Sequence, residues 1–443
     1  MIGFLIDVGI FLNLFFTGYI LTKNPFEFYL SYIPILLLLP IFIIKFKFYT
    51  PSLYILIPLL VVGIFNISID NNTMPRFLKI YINIAINLVF YQYVLQYYNF
   101  DVKAIFKKYL SVSFIISIIG ILQLISFWVG FKAGYDMRVF FSLNKWGLNY
   151  GGLGIRINSF FSEPSSLGIA IAPAFFISLY QLITRTNEFL SLKRCIVIII
   201  CYSLSFSSLA FFGIFLTIIL ITLNFGAIRY FLFAIPLSIF LFFVAYNNAN
   251  EFKVRIDGVK ELFIDNILDE AKTVETRIAR IKRIRNFLSR VHGSSFVFYN
   301  NYYVAKQNFI KNPVFGTGLG SHEFAYDKYA LNKLIGGIYE FNTGDANSLF
   351  LRTISEVGLF GAIFLVLFIF KYYVSHDLGG RENNDYWLIS NALLVLIILT
   401  YVRQGNYTYN GFFLYCWMYF YNRYNYDNLT AEEKELTPEI ENS

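Results

Sequence analysis

The polar residues of this chain are gathered into short segments between long apolar blocks such as YIPILLLLPIFIIK (residues 32–45) and FIISIIGILQLISFW (114–128). A helix that crosses a bilayer needs about 20 mainly apolar residues. On that test spans are expected near 3–21, 28–44, 52–69, 78–97, 109–131, 165–183, 194–205, 207–224, 229–246, 347–371, 386–402 and 408–422, twelve in all. The seventh and eighth are nearly continuous and are divided at Ser203–Ser208, where hydroxyls can satisfy the backbone groups that a tight turn frees.

Composition agrees with this pattern. The 443 residues are 57% hydrophobic and 20% aromatic but only 14% charged, with a mean hydropathy of +0.57. A soluble domain carries roughly 25% charge. The expected fold class is an all-α polytopic membrane protein of about twelve transmembrane helices with a large, partly helical outer loop. Cys195, Cys201 and Cys416 all lie in apolar runs and read as buried thiols, without disulfide or metal-ligand spacing. The first apolar run begins at once and reads as a span, not as a cleaved signal peptide. The net charge of +8 does not point to nucleic acid, because Lys and Arg sit mostly at span ends. With the N-terminus inside, thirteen basic residues fall on the inner side and eight on short outer segments, which favours both termini inside.

This divides the chain into helices 1–5 (1–131), an outer segment (132–164), helices 6–9 (165–246), a long outer loop (247–346), helices 10–12 (347–422) and an acidic inner tail (423–443) expected to be disordered. Loops as long as 247–346 are commonly functional, so chemistry is expected between the two outer segments.

Four stretches carry candidate chemistry. RINSFFSEPSSLG (156–168) sets Arg156 and Glu163 at the mouth of a span. Pro164 after Ser162–Glu163 suits a helix start, and an interfacial arginine that snorkels needs no further role. That account leaves the cluster Asn158, Ser159, Ser165 and Ser166 unexplained, and a carboxylate here could accept a proton from a sugar hydroxyl. TRIARIKRIRNFLSR (276–290) places Arg277, Arg280, Arg283 and Arg290 on an incompletely segregated amphipathic helix. It suits anionic headgroups and a lipid pyrophosphate equally well. In NPVFGTGLGSHEF (312–324) the glycines lack the βαβ context of a dinucleotide fingerprint and suit a tight return or close approach, and His322 beside Glu323 and Asp327 is a poor metal site. In GDANSLFLRTISEVGLFG (344–361), Arg352 and Glu356 have the i, i+4 spacing of an ion pair and read as an internal brace, and Gly358 and Gly361 as close-packing positions. Arg403, in YVRQGNYTY, caps the next span on the same side.

RINSFFSEPSSLG resembles the arginine–EPS–glycine element of O-antigen polymerases of the Wzy type. NPVFGTGLGSHEF and ANSLFLRTISEVGLFG together resemble the glycine-rich block of the wider O-antigen polymerase/ligase superfamily. The resemblance covers about 150–370. It implies a GT-C-like, metal-independent glycosyltransferase without cofactors in the bacterial inner membrane, its active site facing the periplasm. Such an enzyme moves a growing O-antigen or capsule glycan from undecaprenyl pyrophosphate to the non-reducing end of another undecaprenyl-pyrophosphate-linked repeat unit. The implied partners are these lipid-linked oligosaccharides, the bilayer and a chain-length-regulating co-polymerase. Arg156 and Glu163 match the EPS element, and Asn347, Glu356 and Gly358 the later block. Arg277, Arg280, Arg283, Arg290 and Arg403 are the candidates for the pyrophosphate. Asn158, Ser165, His322, Asn347, Arg352 and Glu356 are expected in supporting roles.

Two departures bear on this. Ligases of the superfamily carry a His-Asn pair where this chain reads Ala346–Asn347, which favours polymerase over ligase. The arginine that many members place before the NP is absent, Arg290 being the nearest upstream. Transfer from a pyrophosphate develops negative charge that guanidinium groups can stabilise without a metal. A ligase to a lipid core and a non-enzymatic flippase of lipid-linked oligosaccharides are the alternatives.

Overall fold

The computed structural model describes residues 2–16, 18–22, 28–48, 50–140, 145–224, 250–263, 293–331, 342–376 and 384–441, and a few single positions between 236 and 247. The chain is mostly helical, with only two short antiparallel strand pairs among the described residues. Among the described residues, five helices are long and apolar enough to cross a membrane: Pro51–Ser68, Met74–Tyr97, Val102–Trp128, Leu349–Lys371 and Asp385–Arg403. Pro164–Ala170 and Ala172–Thr184 form a sixth candidate bent by 58°. Ile2–Phe15, Tyr32–Lys45 and Ser208–Leu223 are apolar but shorter. The arginine-rich stretch at 276–290 and, apart from those single positions, the expected span at 229–246 lie outside the described residues.

Local chemistry explains the helix starts. Asp101 caps Val102–Trp128 by accepting from the Ala104 N–H (2.9 Å), and Ser348 caps Leu349–Lys371 by accepting from Leu351 (3.3 Å). Leu192–Leu204 and Ser208–Asn224 are separated by a turn in which the Ser205 hydroxyl donates to the Tyr202 carbonyl (2.7 Å). The C-terminal helix runs on from Phe412 to Glu441, where the acidic tail reads as disordered. The run AEEKEL consists of strong helix formers, and propagating an existing helix needs no new nucleus.

The helices pack around a large buried core that includes Phe15, Phe90, Tyr109, Phe176, Trp387 and Tyr415, with smaller buried clusters around Val304 and Tyr326 and around Ala305 and Ala346. Many apolar side chains remain exposed on the outer faces, among them Ile44, Ile57, Leu122, Leu367 and Phe370. In water such a surface would aggregate; against lipid chains it costs nothing.

Met74–Tyr97 marks the two ends of the bundle, being about 36 Å long at 1.5 Å per residue. At its start, Asn72 donates to the Leu319 carbonyl (2.7 Å) and Arg76 pairs with Glu323 (3.5 Å). At its other end, Gln96 donates to Lys47 (3.1 Å), Tyr98 and Lys108 meet Asp7, Asn425 reaches Phe100 (3.0 Å) and Lys103 pairs with Asp385. The motif-bearing loops gather toward the first end.

Candidate functional site

The two glycine-rich motifs lock together through their backbones. Leu349–Lys371 is not one regular helix: Gly358 (φ 67°, ψ −154°) breaks it one turn below the Arg352–Glu356 pair. The segment 313–318 fills the break. Thr317 and Gly318 donate backbone N–H groups to the carbonyls of Ser355 (3.2 Å) and Glu356 (2.7 Å). Leu359 and Phe360 donate to Pro313 (2.8 Å) and Val314 (3.0 Å). The approach excludes side chains from both strands of contact. A Cβ on Gly316 (φ 59°) would lie 2.5 Å from the Glu356 carbonyl carbon, and one on Gly358 2.6 Å from the Gly316 nitrogen. Gly358 thus serves a backbone interruption, not helix-to-helix packing; a Cβ on Gly361 would strike Thr353 and Val357 of its own helix.

Around this break lies a buried polar network. Arg352 (4% exposed) donates from Nε to Oε1 of Glu356 (0% exposed) at 3.0 Å, and from Nη1 to the Gly405 carbonyl at 2.9 Å. The Tyr407 hydroxyl donates to Oε2 of Glu356 at 3.0 Å, and the arginine lies over the Tyr407 ring. Burial pushes the Tyr407 hydroxyl well above its ordinary value, with the Glu356 charge adding to it, so it stays a donor. Both carboxylate oxygens of Glu356 and two of the three guanidinium nitrogens of Arg352 are engaged, which favours holding the two charges out of water.

His322 sits beside the pair, fully buried. Its backbone N–H approaches Oε1 of Glu356 (3.4 Å), Nδ1 meets the Ser355 hydroxyl and Nε2 the side-chain amide oxygen Oδ1 of Asn301, both at 3.1 Å. Burial, and secondly the Arg352 charge, pushes its pKa down to about 3, so the ring is neutral. No group of three or more His, Cys, Asp or Glu side chains among the described residues is arranged to hold a metal ion. Asn308 continues the network, donating to Thr317 Oγ1 (2.9 Å) and to both oxygens of Ser355 (2.9 and 3.0 Å).

The residues just before EPS are sunk into the bundle, whereas Glu163 stands at the start of the bent span, as expected. Ile157 and Ser159 lie against Gly120 of Val102–Trp128, about 12 Å along the axis from Trp128 at 1.5 Å per residue. Irregular backbone at such depth must find partners within the protein. Gln123 supplies them: its Oε1 accepts from the N–H of Asn158 (3.2 Å) and of Ser159 (2.9 Å), and its Nε2 donates to Asn158 Oδ1 (2.9 Å). Asn158, itself 0% exposed, donates back to Gly147 and Phe161 carbonyls (3.1 and 2.9 Å). Its role is to hold the loop. Arg156 is half-buried, and its backbone donates to Asn149 (2.9 Å). Glu163 stands at the N-cap position of Pro164–Ala170 in extended conformation, without capping through its side chain. That side chain is exposed and accepts from the Ser165 hydroxyl.

One loop joins the two halves. In QGNYTYNG, residues 404–411, Gly405 and Tyr407 contact Arg352 and Glu356, whereas the Tyr409 hydroxyl lies 2.9 Å from Ser162 Oγ and 3.1 Å from Ser166 Oγ. Between them Thr408 meets Asn83 (3.3 Å) inside Met74–Tyr97, so the loop also dips into the bundle. The backbone of Asp345 packs against Gly405, where a Cβ would lie 1.6 Å from its carbonyl oxygen. The Asp345 carboxylate accepts from the Asn347 N–H (3.0 Å). Asn347 follows Ala346 in left-handed conformation (φ 56° and 57°), and its side-chain nitrogen is buried without a partner among the described residues.

Of the residues singled out in the sequence, Arg352, Glu356 and His322 meet directly, with Asn347 alongside through Asp345 and Gly405. Arg156, Asn158, Glu163 and Ser165 share the second segment. Arg403 lies over the Phe298 ring of Gly293–Lys311 at 5.6 Å, and that ring packs beside Ala346 and Leu351. Arg277, Arg280, Arg283 and Arg290 lie outside the described residues. Tyr407, Tyr409, Gln123, Ser355, Asn301 and Asn308 were not singled out; the only hint in the sequence is the density of Asn and Tyr in 404–411. No family model matches the chain, and no curated protein does.

Proposed function

We propose that this chain is a twelve-span polymerase of lipid-linked surface polysaccharide, working at the periplasmic face of a bacterial inner membrane. It transfers a growing glycan from undecaprenyl pyrophosphate to the non-reducing end of a new lipid-linked repeat unit. The observation that carries the reading is the 404–411 loop, which touches the arginine–EPS segment with Tyr409 and the later glycine block with Tyr407 and Gly405. Two stretches about 190 residues apart in sequence, each resembling a part of one family's signature, share a single support.

In this mechanism the acceptor hydroxyl attacks C1 of the donor sugar and the C1–O bond to the pyrophosphate breaks. The Glu163 carboxylate, exposed and steadied by Ser165, takes the hydroxyl proton. The charge left on the lipid diphosphate falls to Arg156, whose planar guanidinium suits phosphate oxygens, with Arg403 and the loop arginines as further candidates. Arg352 has its Nε and one terminal nitrogen already engaged by Glu356 and Gly405, and braces the site from below.

The test is reconstitution of the purified protein in liposomes with the repeat units that accumulate on its lipid carrier when its gene is deleted. Lengthening of the lipid-linked glycan is expected, lost in Arg156→Ala and Glu163→Gln. Transfer to a second lipid without lengthening would mark a ligase. Movement across the bilayer without covalent change would mark a flippase.

A further inference from the structure

Beside the buried network lies an open cleft of about 500 Å³. Its floor is Asn308, Thr317 and Ser321, joined by hydrogen bonds of 2.9 and 2.6 Å. One wall is the 70–73 turn and the other is formed by Lys311, Asn312, Phe324, Lys328 and Tyr329. The volume lies within the range of roughly 300–1,000 Å³ in which small ligands are bound.

We propose that this cleft binds a sugar that carries a carboxylate. Both lysine ammonium groups lie over the Tyr329 ring, at 5.2 and 5.5 Å from its centroid. Neither pairs with a carboxylate among the described residues, so both remain free to meet an acidic substituent. Among the described lining residues Asp70 is the one acid, against two lysines. The amide nitrogens of Asn71, Asn72 and Asn308 are committed to Asn66, to Leu319, and to Thr317 and Ser355. Oδ1 of Asn71, of Asn308 and of Asn312 accepts no hydrogen bond from the described residues, and these oxygens with the Asp70 carboxylate suit the hydroxyl donors of a pyranose. Phe324 supplies an apolar face. Its far side is held by Arg76, stacked 3.9 Å from the ring centroid and paired with Glu323. Binding reports inward, since the floor residue Asn308 holds both oxygens of Ser355, next to Glu356.

That the ligand is a sugar rests on the glycan-transfer reading; the lysine- and amide-lined cleft does not. The test is direct binding to the full-length protein in detergent, by calorimetry or ligand-observed NMR. The probes are a glucuronic-acid-containing disaccharide, its neutral glucose counterpart, and inorganic phosphate. The acidic disaccharide is expected to bind at least about tenfold more tightly than the neutral one. Lys311→Gln/Lys328→Gln should abolish that preference, and Lys371→Gln, remote from the cleft, should leave it unchanged. Tyr329→Leu should weaken both disaccharides. Equal binding of the two disaccharides, or a preference that survives the double substitution, would overturn the proposal. So would phosphate alone binding as well as the acidic disaccharide. Because no transfer is measured, failure of polymerisation and failure of this site are read separately.

Discussion

Glu356→Gln tests whether the Arg352–Glu356 pair is held as a buried charge pair. The residue is 0% exposed and Arg352 4% exposed, with 3.0 Å between Nε and Oε1. Replacing the carboxylate by an amide of the same shape keeps an oxygen near Arg352 Nε but removes the counter-charge beside an arginine deep in the protein. Orphaning one member of a buried pair costs roughly 3–5 kcal/mol. The chain contains its own control. Arg423 and Asp427 have the same i, i+4 spacing and a 2.9 Å contact, but their side chains are 32% and 51% exposed. Asp427→Asn should therefore cost no more than about 0.5 kcal/mol. In Arg352→Met/Glu356→Gln no buried charge is stranded, so the double substitution should be less damaging than Glu356→Gln alone. The assay is reversible unfolding in mixed detergent micelles, followed by far-UV circular dichroism. Equal small losses for Glu356→Gln and Asp427→Asn, or additive losses in the double variant, would refute the reasoning.

Three further outcomes are expected. Gly316→Ala and Gly358→Ala should each cost roughly 2–4 kcal/mol, because each Cβ meets backbone at positive φ; Gly344→Ala, with nothing within 4 Å, should be neutral in the same unfolding measurement. His322 is neutral in the folded chain with a pKa of about 3, against about 6.5 unfolded. Between those values the unfolded chain binds the extra proton, so this contribution to stability is full above pH 6.5 and is lost as the pH falls. From pH 7 to pH 5 the wild type should lose about 2 kcal/mol more than His322→Gln, and parallel pH profiles would remove the assignment. Tyr409→Phe removes the hydroxyl between Ser162 and Ser166. It should cost about 1 kcal/mol of stability but at least tenfold in glycan lengthening, and unchanged lengthening would reduce the loop to packing.

The membrane character and helical class of the chain were legible without a structure, because the length and apolarity of a segment dictate how it meets lipid. The separation of 192–204 from 208–224 was legible for the same local reason, in hydroxyls that favour a turn. So was the Arg352–Glu356 pair, since four residues along a helix bring side chains to one face. The glycines of 312–324 and 358 announced close approach but not what they approach: their contact is backbone to backbone between segments about 40 residues apart, and periodicity carries no record of it. Asn158 looked like part of a reactive cluster because a polar side chain reads the same whether it waits for a ligand or satisfies buried backbone. Only the position of Gln123, on another helix, separates the two. Tyr407 and Tyr409 were invisible for the converse reason, being ordinary residues in a short connection. Tertiary structure decided their importance by folding that connection inward, where buried polar groups must find partners and one loop meets both motifs.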